Sequence, residues 1–367
     1  MIVQILSLFV GLHWVLSTTA DPSGTLRFVT LGDVGAAGDP QLSTSRALSR
    51  IYSTSSISFV ALVGDNFYSS GIQNIEDPVV ESVFVNAFGD IPVPFHPVLG
   101  DNDYGDNGIV GNISAQVALT TILPNWEMPN FFYSKIERTD VVQICTIYID
   151  TQSLISIPDV DKRTPEEVGI LETQMNWIET TLSSEECQAS HFIVVFGHHP
   201  LKSTGKKHMK GKSGPMIEKL TPLFELYKID AYFSGHDHDL QAIAPIDDLL
   251  PGGDIYASLD DPGEESTSAA VQVSPSSMSQ SSNPDTSSDL PSHCVSYIVS
   301  GASSRLRKNP KEAPIPGHHS WAVRDVYGFT LTEAISSTEM ITSFINSETG
   351  ETVHTHPIRS HLALREM

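Results

Sequence analysis

Five short motifs hold most of the residues in this chain that could do chemistry, each opening on a glycine: Gly32-Asp33, Gly64-Asp65-Asn66-Phe67-Tyr68, Gly100-Asp101-Asn102-Asp103, Gly197-His198-His199-Pro200 and Gly235-His236-Asp237-His238. Carboxylates, a phenol and imidazoles are metal donors. Hydrolysis of a phosphate ester over two cations about 3.5–4 Å apart calls for this inventory, because the attacking and leaving oxygens must both be stabilised. A single Asp after a strand is more often a turn or helix-cap residue, and a single His there is more often a core residue. Three Gly-Asp motifs followed by histidines at further strand ends make a metal site the better account. A carboxylate such as Asp65 can bridge two cations, and the phenolate of Tyr68, three residues on, suits a trivalent metal. His236 and His238 stand two apart in an extended segment, so both rings face one pocket.

The elements that must position these groups are short apolar runs alternating with amphipathic stretches, the pattern of an α/β protein. Strands are expected at Arg27–Leu31, Ser58–Val63, Phe95–Leu99, Val141–Ile149, His191–Phe196, Ala231–Phe233 and Val295–Val299. Each of the five motifs then falls where a strand gives way to a loop, the usual place for ligand chemistry in open α/β sheets. Pro165-Glu166-Glu167 opens a helix with Leu171, Met175, Ile178 and Leu182 on one core-facing side. A second helix is expected from Pro215 to Leu226, and Gly328–Ile335 with Met340–Ile345 alternate like an antiparallel pair.

Composition narrows the function classes. With 44 acidic against 21 basic residues the formal charge is −23, which argues against nucleic acid or an anionic membrane as a bulk partner. Residues 1–20 carry no Asp, Glu, Lys or Arg and end in Ser17-Thr18-Thr19-Ala20, the form of a cleaved signal peptide, with an uncleaved anchor as the alternative. Export to the outside or to an acidic, lysosome-like compartment follows, and no other run approaches the length of a spanning helix. The remainder, residues 21–367, is expected to form one catalytic domain. Asn112-Ile113-Ser114 is a glycosylation sequon. Of Cys145, Cys187 and Cys294, at least one must lack an intrachain partner, and Cys145, inside an apolar run, is expected to be a buried free thiol. From about 247 to 292 the chain is rich in Ser, Asp, Pro and Gly, a composition expected to remain a disordered surface insertion.

These motifs resemble those of the purple acid phosphatases, in particular the small tartrate-resistant acid phosphatases within the calcineurin-like metallophosphoesterases. The likeness runs from about Leu26 to Val353 and extends to Gly111-Asn112-Ile113-Ser114-Ala115-Gln116, Ile149-Asp150-Thr151 and Val299-Ser300-Gly301-Ala302. It implies a four-layer α/β fold, a β-sandwich flanked by helices. It also implies a ferric ion held by Asp33, Tyr68 and His238, with Asp65 bridging to a divalent Fe, Zn or Mn ion held by Asp101, His198 and His236. The reaction implied is attack of a metal-bound hydroxide on phosphomonoesters, either small molecules or phosphoproteins.

The third motif departs from the family. Where Gly-Asn-His-Asp is usual, Gly100-Asp101-Asn102-Asp103 stands here. Asp101 can still donate an oxygen to a hard cation, at the expense of one more negative charge. Asn102 replaces a histidine that would give a proton to the leaving oxygen or a hydrogen bond to the phosphoryl group. His208, in a stretch with five lysines in eleven residues (202–212), is the nearest candidate to take over. That stretch either captures phosphate-rich substrates or is simply a solvated loop. Two other classes stay open: a non-catalytic, phosphatase-like scaffold, to which the altered motif points, and a phosphodiesterase on the same fold.

Overall fold

The computed structural model describes residues 24–106, 108–155, 165–205, 213–245, 295–307 and 314–363. The expected leader, His208 with the lysines beyond Gly205, Cys294 and the serine-rich stretch 247–292 lie outside the described residues.

The strands are β1 (Leu26–Leu31), β2 (Phe59–Val63), β3 (Phe95–Val98), β4 (Gly105–Asp106), β5 (Ile109–Val110), β6 (Tyr133–Arg138), β7 (Gln143–Tyr148), β8 (Phe192–Phe196), β9 (Ala231–Ser234), β10 (Leu240–Pro245), β11 (Ser296–Ser300), β12 (His318–Val323), β13 (Gly328–Ala334), β14 (Glu339–Asn346) and β15 (Thr352–Arg359). They build a six-stranded sheet in the order β15-β14-β13-β1-β2-β3, a seven-stranded sheet in the order β12-β10-β11-β9-β8-β7-β6, and the small β4-β5 pair. Strands β1, β2 and β3 run parallel, as do β7, β8, β9 and β11. The expected pair at the end of the chain is β13 and β14, antiparallel.

Alternation along the parallel strands separates two cores. On β8, Phe192, Val194 and Phe196 join Phe28, Phe59 and Phe233 in one apolar cluster, while Ile193 and Val195 join the helices in another. Phe28 stacks on Phe59 at 5.1 Å and meets Phe196 and Phe233 edge-on at 5.7 and 5.6 Å, tying the two sheets face to face. The second cluster takes Ile178 and Leu182 from the helix Pro165–Leu182, and Leu220 and Phe224 from Gly214–Leu226, close to the expected helices. The helix Asp39–Thr54 buries Ala47 and Leu48 with the first sheet. The expected α/β sandwich flanked by helices is the observed architecture.

Two corrections follow. Besides the two-residue strands β4 and β5, four strands went unforeseen. Of these, β6, β12 and β15 are sheet edges, half-polar because one side lacks a partner strand, and β15 carries Pro357. The fourth, β10, is buried but begins directly after the last motif. Cys145 is not a free thiol: it is disulfide-bonded to Cys187, with Cα atoms 5.1 Å apart. The helix Glu185–Gln188 carries Cys187 onto the outward face of β7, a proximity that 42 residues of separation hide from the sequence.

Candidate metal centre

All five motifs open at the carboxyl ends of parallel strands. Asp33, Asp65, His198 and His236 each follow a strand after one glycine, beyond β1, β2, β8 and β9, and Asp101 follows β3 after Leu99-Gly100. Asp33, Asp65 and His236 adopt left-handed backbone conformations with φ of 58°, 54° and 65°. Non-glycine residues hold such conformations where their surroundings over-determine them, as functional sites do. The preceding glycines leave room for the approach: a Cβ at Gly64 (φ 86°) would lie 2.4 Å from His198 Nδ1, and one at Gly100 would lie 2.2 Å from the Asp65 nitrogen.

The loops are stitched across the two sheets. His236 N donates to Asp33 Oδ2 at 2.8 Å and Ser300 Oγ donates to the Thr30 carbonyl at 2.8 Å. His198 Nδ1 lies 2.8 Å from the Val63 carbonyl. Only an N–H can serve a carbonyl, so the proton belongs on Nδ1 and the Nε2 lone pair is presented to the site.

Two separate donor sets result. In one, Asp101 Oδ1, His198 Nε2 and His236 Nδ1 stand 3.1, 3.2 and 3.1 Å from one another. In the other, Tyr68 Oη lies 2.8 Å from Asp33 Oδ1 and 3.3 Å from His238 Nε2, with His238 Nε2 3.2 Å from Asp33 Oδ1. Donors each about 2.0–2.2 Å from one cation sit ~3.0–3.5 Å apart, so both sets fit a metal ion. Asp65 stands between them, its Oδ1 3.5 Å from His198 Nε2 and its charge felt by Tyr68.

The electrostatics point the same way. Burial, then repulsion from Asp33, Asp101 and Asp103, pushes the Asp65 carboxyl up to about 7, against the pull of His198. Burial also opposes the charge on Asp33, but His238, His198 and His236 outweigh it and hold that carboxyl below its ordinary value. His198 is raised well above the usual imidazole range: burial works against its protonated form, and Asp65, Asp101 and Asp33 overcome it. Carboxylates this close and this buried call for positive charge among them.

The third motif does two jobs. Asn102 donates to Asp65 twice, from its backbone nitrogen at 2.9 Å and from Nδ2 at 2.7 Å, which orients the carboxylate between the donor sets. Asp103, fully buried, accepts from Gly100 N at 2.8 Å, Asn66 N at 3.1 Å, Phe67 N at 3.2 Å and Gln116 Nε2 at 2.9 Å, locking the second and third motifs together. The expected site residues Asp33, Asp65, Tyr68, Asp101, Asn102, His198, His236 and His238 thus come together, while His208 lies outside the described residues.

One neighbour was missed. His199 offers a ring nitrogen within 4.8 Å of the donor atoms of Asp101, His198 and His236. Thr151 Oγ1 accepts the backbone N–H groups of His198 (3.2 Å) and His199 (3.1 Å) and lies 2.9 Å from His199 Nδ1. With both lone pairs engaged, its own hydrogen is assigned to Nδ1, which leaves His199 Nε2 carrying a proton. The doubled histidine of Gly197-His198-His199-Pro200 was the available signal.

A sandwich with paired donor sets at its strand ends defines the metallophosphoesterase class. The calcineurin-like phosphoesterase model matches residues 26–240, and the chain belongs to that family. Among curated relatives, tartrate-resistant acid phosphatase type 5 of Sus scrofa is 30% identical over 241 residues, 61% of this chain and 67% of its own. Purple acid phosphatase 4 of Arabidopsis thaliana is 28% identical over 246 residues, 64% of this chain and 69% of its own. Two solved structures share the fold: GAP50, the anchor in the inner membrane complex of Plasmodium (TM-score 0.65, 23% identity, 92% of this chain and 89% of that one), and purple acid phosphatase PPD1 from yellow lupin seeds (TM-score 0.61, 17% identity, 93% and 55%).

Proposed function

We propose that this chain is an acid phosphatase hydrolysing phosphate monoesters, with a ferric ion held by Asp33, Tyr68 and His238 and a divalent ion held by Asp101, His198 and His236. The single observation carrying this is the pair of three-donor sets with Asp65 between them. Bound there, the two ions supply Lewis acidity to the phosphoryl oxygens and acidify water enough for attack below neutral pH.

The chain's own groups do the rest. The Val63 carbonyl fixes the His198 tautomer, the His236 N–H occupies Asp33 Oδ2 so that Oδ1 faces the site, and Asn102 sets the Asp65 carboxylate. The Asn102 amide serves Asp65, so its role is positioning, and His208 is assigned only part of the protonation of the leaving oxygen, the rest being missing from this chain. Export fits the Cys145–Cys187 disulfide, a bond at home in oxidising compartments, and the exposed Asn112. Among the described residues no helix is long and apolar enough to cross a membrane.

Metal content, the visible spectrum and p-nitrophenyl phosphate turnover of purified protein test this together. Two metals per chain, a tyrosinate-to-iron band that Tyr68→Phe abolishes, and slow turnover at acid pH are expected. Replacing Asp101 by Asn together with Asn102 by His should raise turnover by up to ~10²–10⁴-fold, the contribution of a positioned acid. Full metal occupancy without turnover, before and after that double change, would overturn the phosphatase in favour of a scaffold.

A further inference from the structure

Three arginines, Arg305, Arg307 and Arg324, stand near the site. Arg307 Nη1 lies 2.8 Å from Asp237 Oδ1, and Arg324 pairs with Asp239 at 3.3 Å and hydrogen-bonds Thr204. Arg305 differs. Among the described residues it has neither an ion pair nor a hydrogen bond; its Cζ instead sits 3.6 Å above the centre of the Tyr68 ring. That is van der Waals contact with the ring face, and the ring is the one whose hydroxyl donates to Asp33.

Its placement is fixed by backbone on both sides. Leaving β11, the chain hydrogen-bonds from Ser303 N to the Gly32 carbonyl at 3.3 Å and from Ser304 Oγ to the Asp33 carbonyl at 2.5 Å, and then from Arg307 N to the His238 carbonyl at 3.1 Å. Arg305 is therefore held over the Asp33–Tyr68–His238 set by bonds to two of its members. A stacked guanidinium spends its flat face on the ring and keeps its N–H edge for an acceptor in the same plane, geometry that suits the oxygens of a phosphate. It also brings a positive charge beside a site to which Asp101 adds a negative one, where a phosphate dianion must be accepted.

We infer that Arg305 is a substrate-positioning residue: stacked on Tyr68, it directs its N–H edge to a phosphoryl oxygen of the ester bound at the two donor sets. This rests on the phosphatase assignment above. The same guanidinium stabilises electron density on the ring beneath it, so removing it should move the tyrosinate-to-iron band to longer wavelength.

The experiment is calorimetric titration of inorganic phosphate into the purified full chain, wild type, Arg305→Leu and Arg305→Lys, with metal content, visible spectrum and thermal unfolding measured on the same samples. Expected is about tenfold or greater weakening of phosphate binding in Arg305→Leu at unchanged metal content, a red-shifted band, and, in p-nitrophenyl phosphate turnover of the same samples, a larger rise in KM than fall in kcat. Arg305→Lys, which keeps the charge but not the flat stack or fork, should fall between. Metal-loaded Arg305→Leu that binds phosphate within twofold of wild type overturns the inference alone. So does loss of metal from both variants, which would make Arg305 a support of the centre. A wild type that holds neither metal nor phosphate overturns the phosphatase assignment and this inference with it.

Discussion

Asn102 is the residue whose part changes most between sequence and structure. Its motif suggests the stump of a lost proton donor, but its side chain is spent on Asp65 Oδ2 at 2.7 Å, with its backbone nitrogen on Oδ1. Groups that orient a metal-binding carboxylate typically account for 10–100-fold in metal affinity. Asn102→Ala is thus expected to weaken metal retention by about that factor in a chelator competition while the fold persists. Unaltered retention would return Asn102 to a direct role at the leaving oxygen. Arg305 makes the complementary point: a guanidinium with no sequence neighbour in the motifs becomes part of the site through stacking on Tyr68.

At the scale of elements, the strand-to-loop junctions carry the site, and their glycines are steric necessities. Gly64→Ala places a Cβ 2.4 Å from His198 Nδ1 at a φ of 86°, so His198 must shift off the Val63 carbonyl or the loop must open. Loss of the ion assigned to Asp101, His198 and His236, with a destabilisation of about 1–3 kcal/mol, is expected in metal analysis and denaturant unfolding. The intersheet layer holds a pH dependence of its own. Burial lowers His356, on β15 with Nε2 3.0 Å from Ser296 Oγ, to about 4, the neighbouring His354 adding to the effect. Burial likewise lowers His96 to about 4, although Glu127 pulls the other way. Since both imidazoles are neutral when folded and take protons more readily when unfolded, their contribution is present above about 6.5 and is lost as pH falls through about 4. The loss is on the order of 3 kcal/mol for each. His356→Gln should flatten the unfolding curve between pH 6.5 and 4; an unchanged slope would mean that the ring is not buried neutral.

For the whole molecule, the Cys145–Cys187 bond closes a loop spanning 42 residues and fastens the helical layer to β7. Chain-entropy reasoning assigns such a closure about 4 kcal/mol. Replacing both Cys145 and Cys187 by Ser should accordingly lower the melting temperature while leaving the visible band in place, because the bond lies in the helix-side core and not among the strand-end loops. A band lost in that variant would show that the helical layer and the metal loops are one cooperative unit. Amino-terminal sequencing of native material near Asp21, with glycan mapped at Asn112, bears on the same oxidising history.

What the sequence determined was local. Short apolar runs followed by glycine located β1, β2, β3, β8 and β9, and therefore the strand ends from which Asp33, Asp65, Asp101, His198 and His236 project, because a run of apolar, β-branched residues and the turn that ends it are encoded within a few residues. The edge strands β6, β12 and β15 were not legible, since their half-polar patterns resemble loops until a partner strand is present. The sorting of donors into two sets, the tautomer of His198, the hold of Asn102 on Asp65, the seat of Arg305 and the pairing of Cys145 join residues up to hundreds of positions apart. Strand pairing within a sheet brings Asn102 to Asp65, the packing of the helical layer brings Cys187 to Cys145, and the closing of one sheet over the other brings the rest together, none of which any local propensity records.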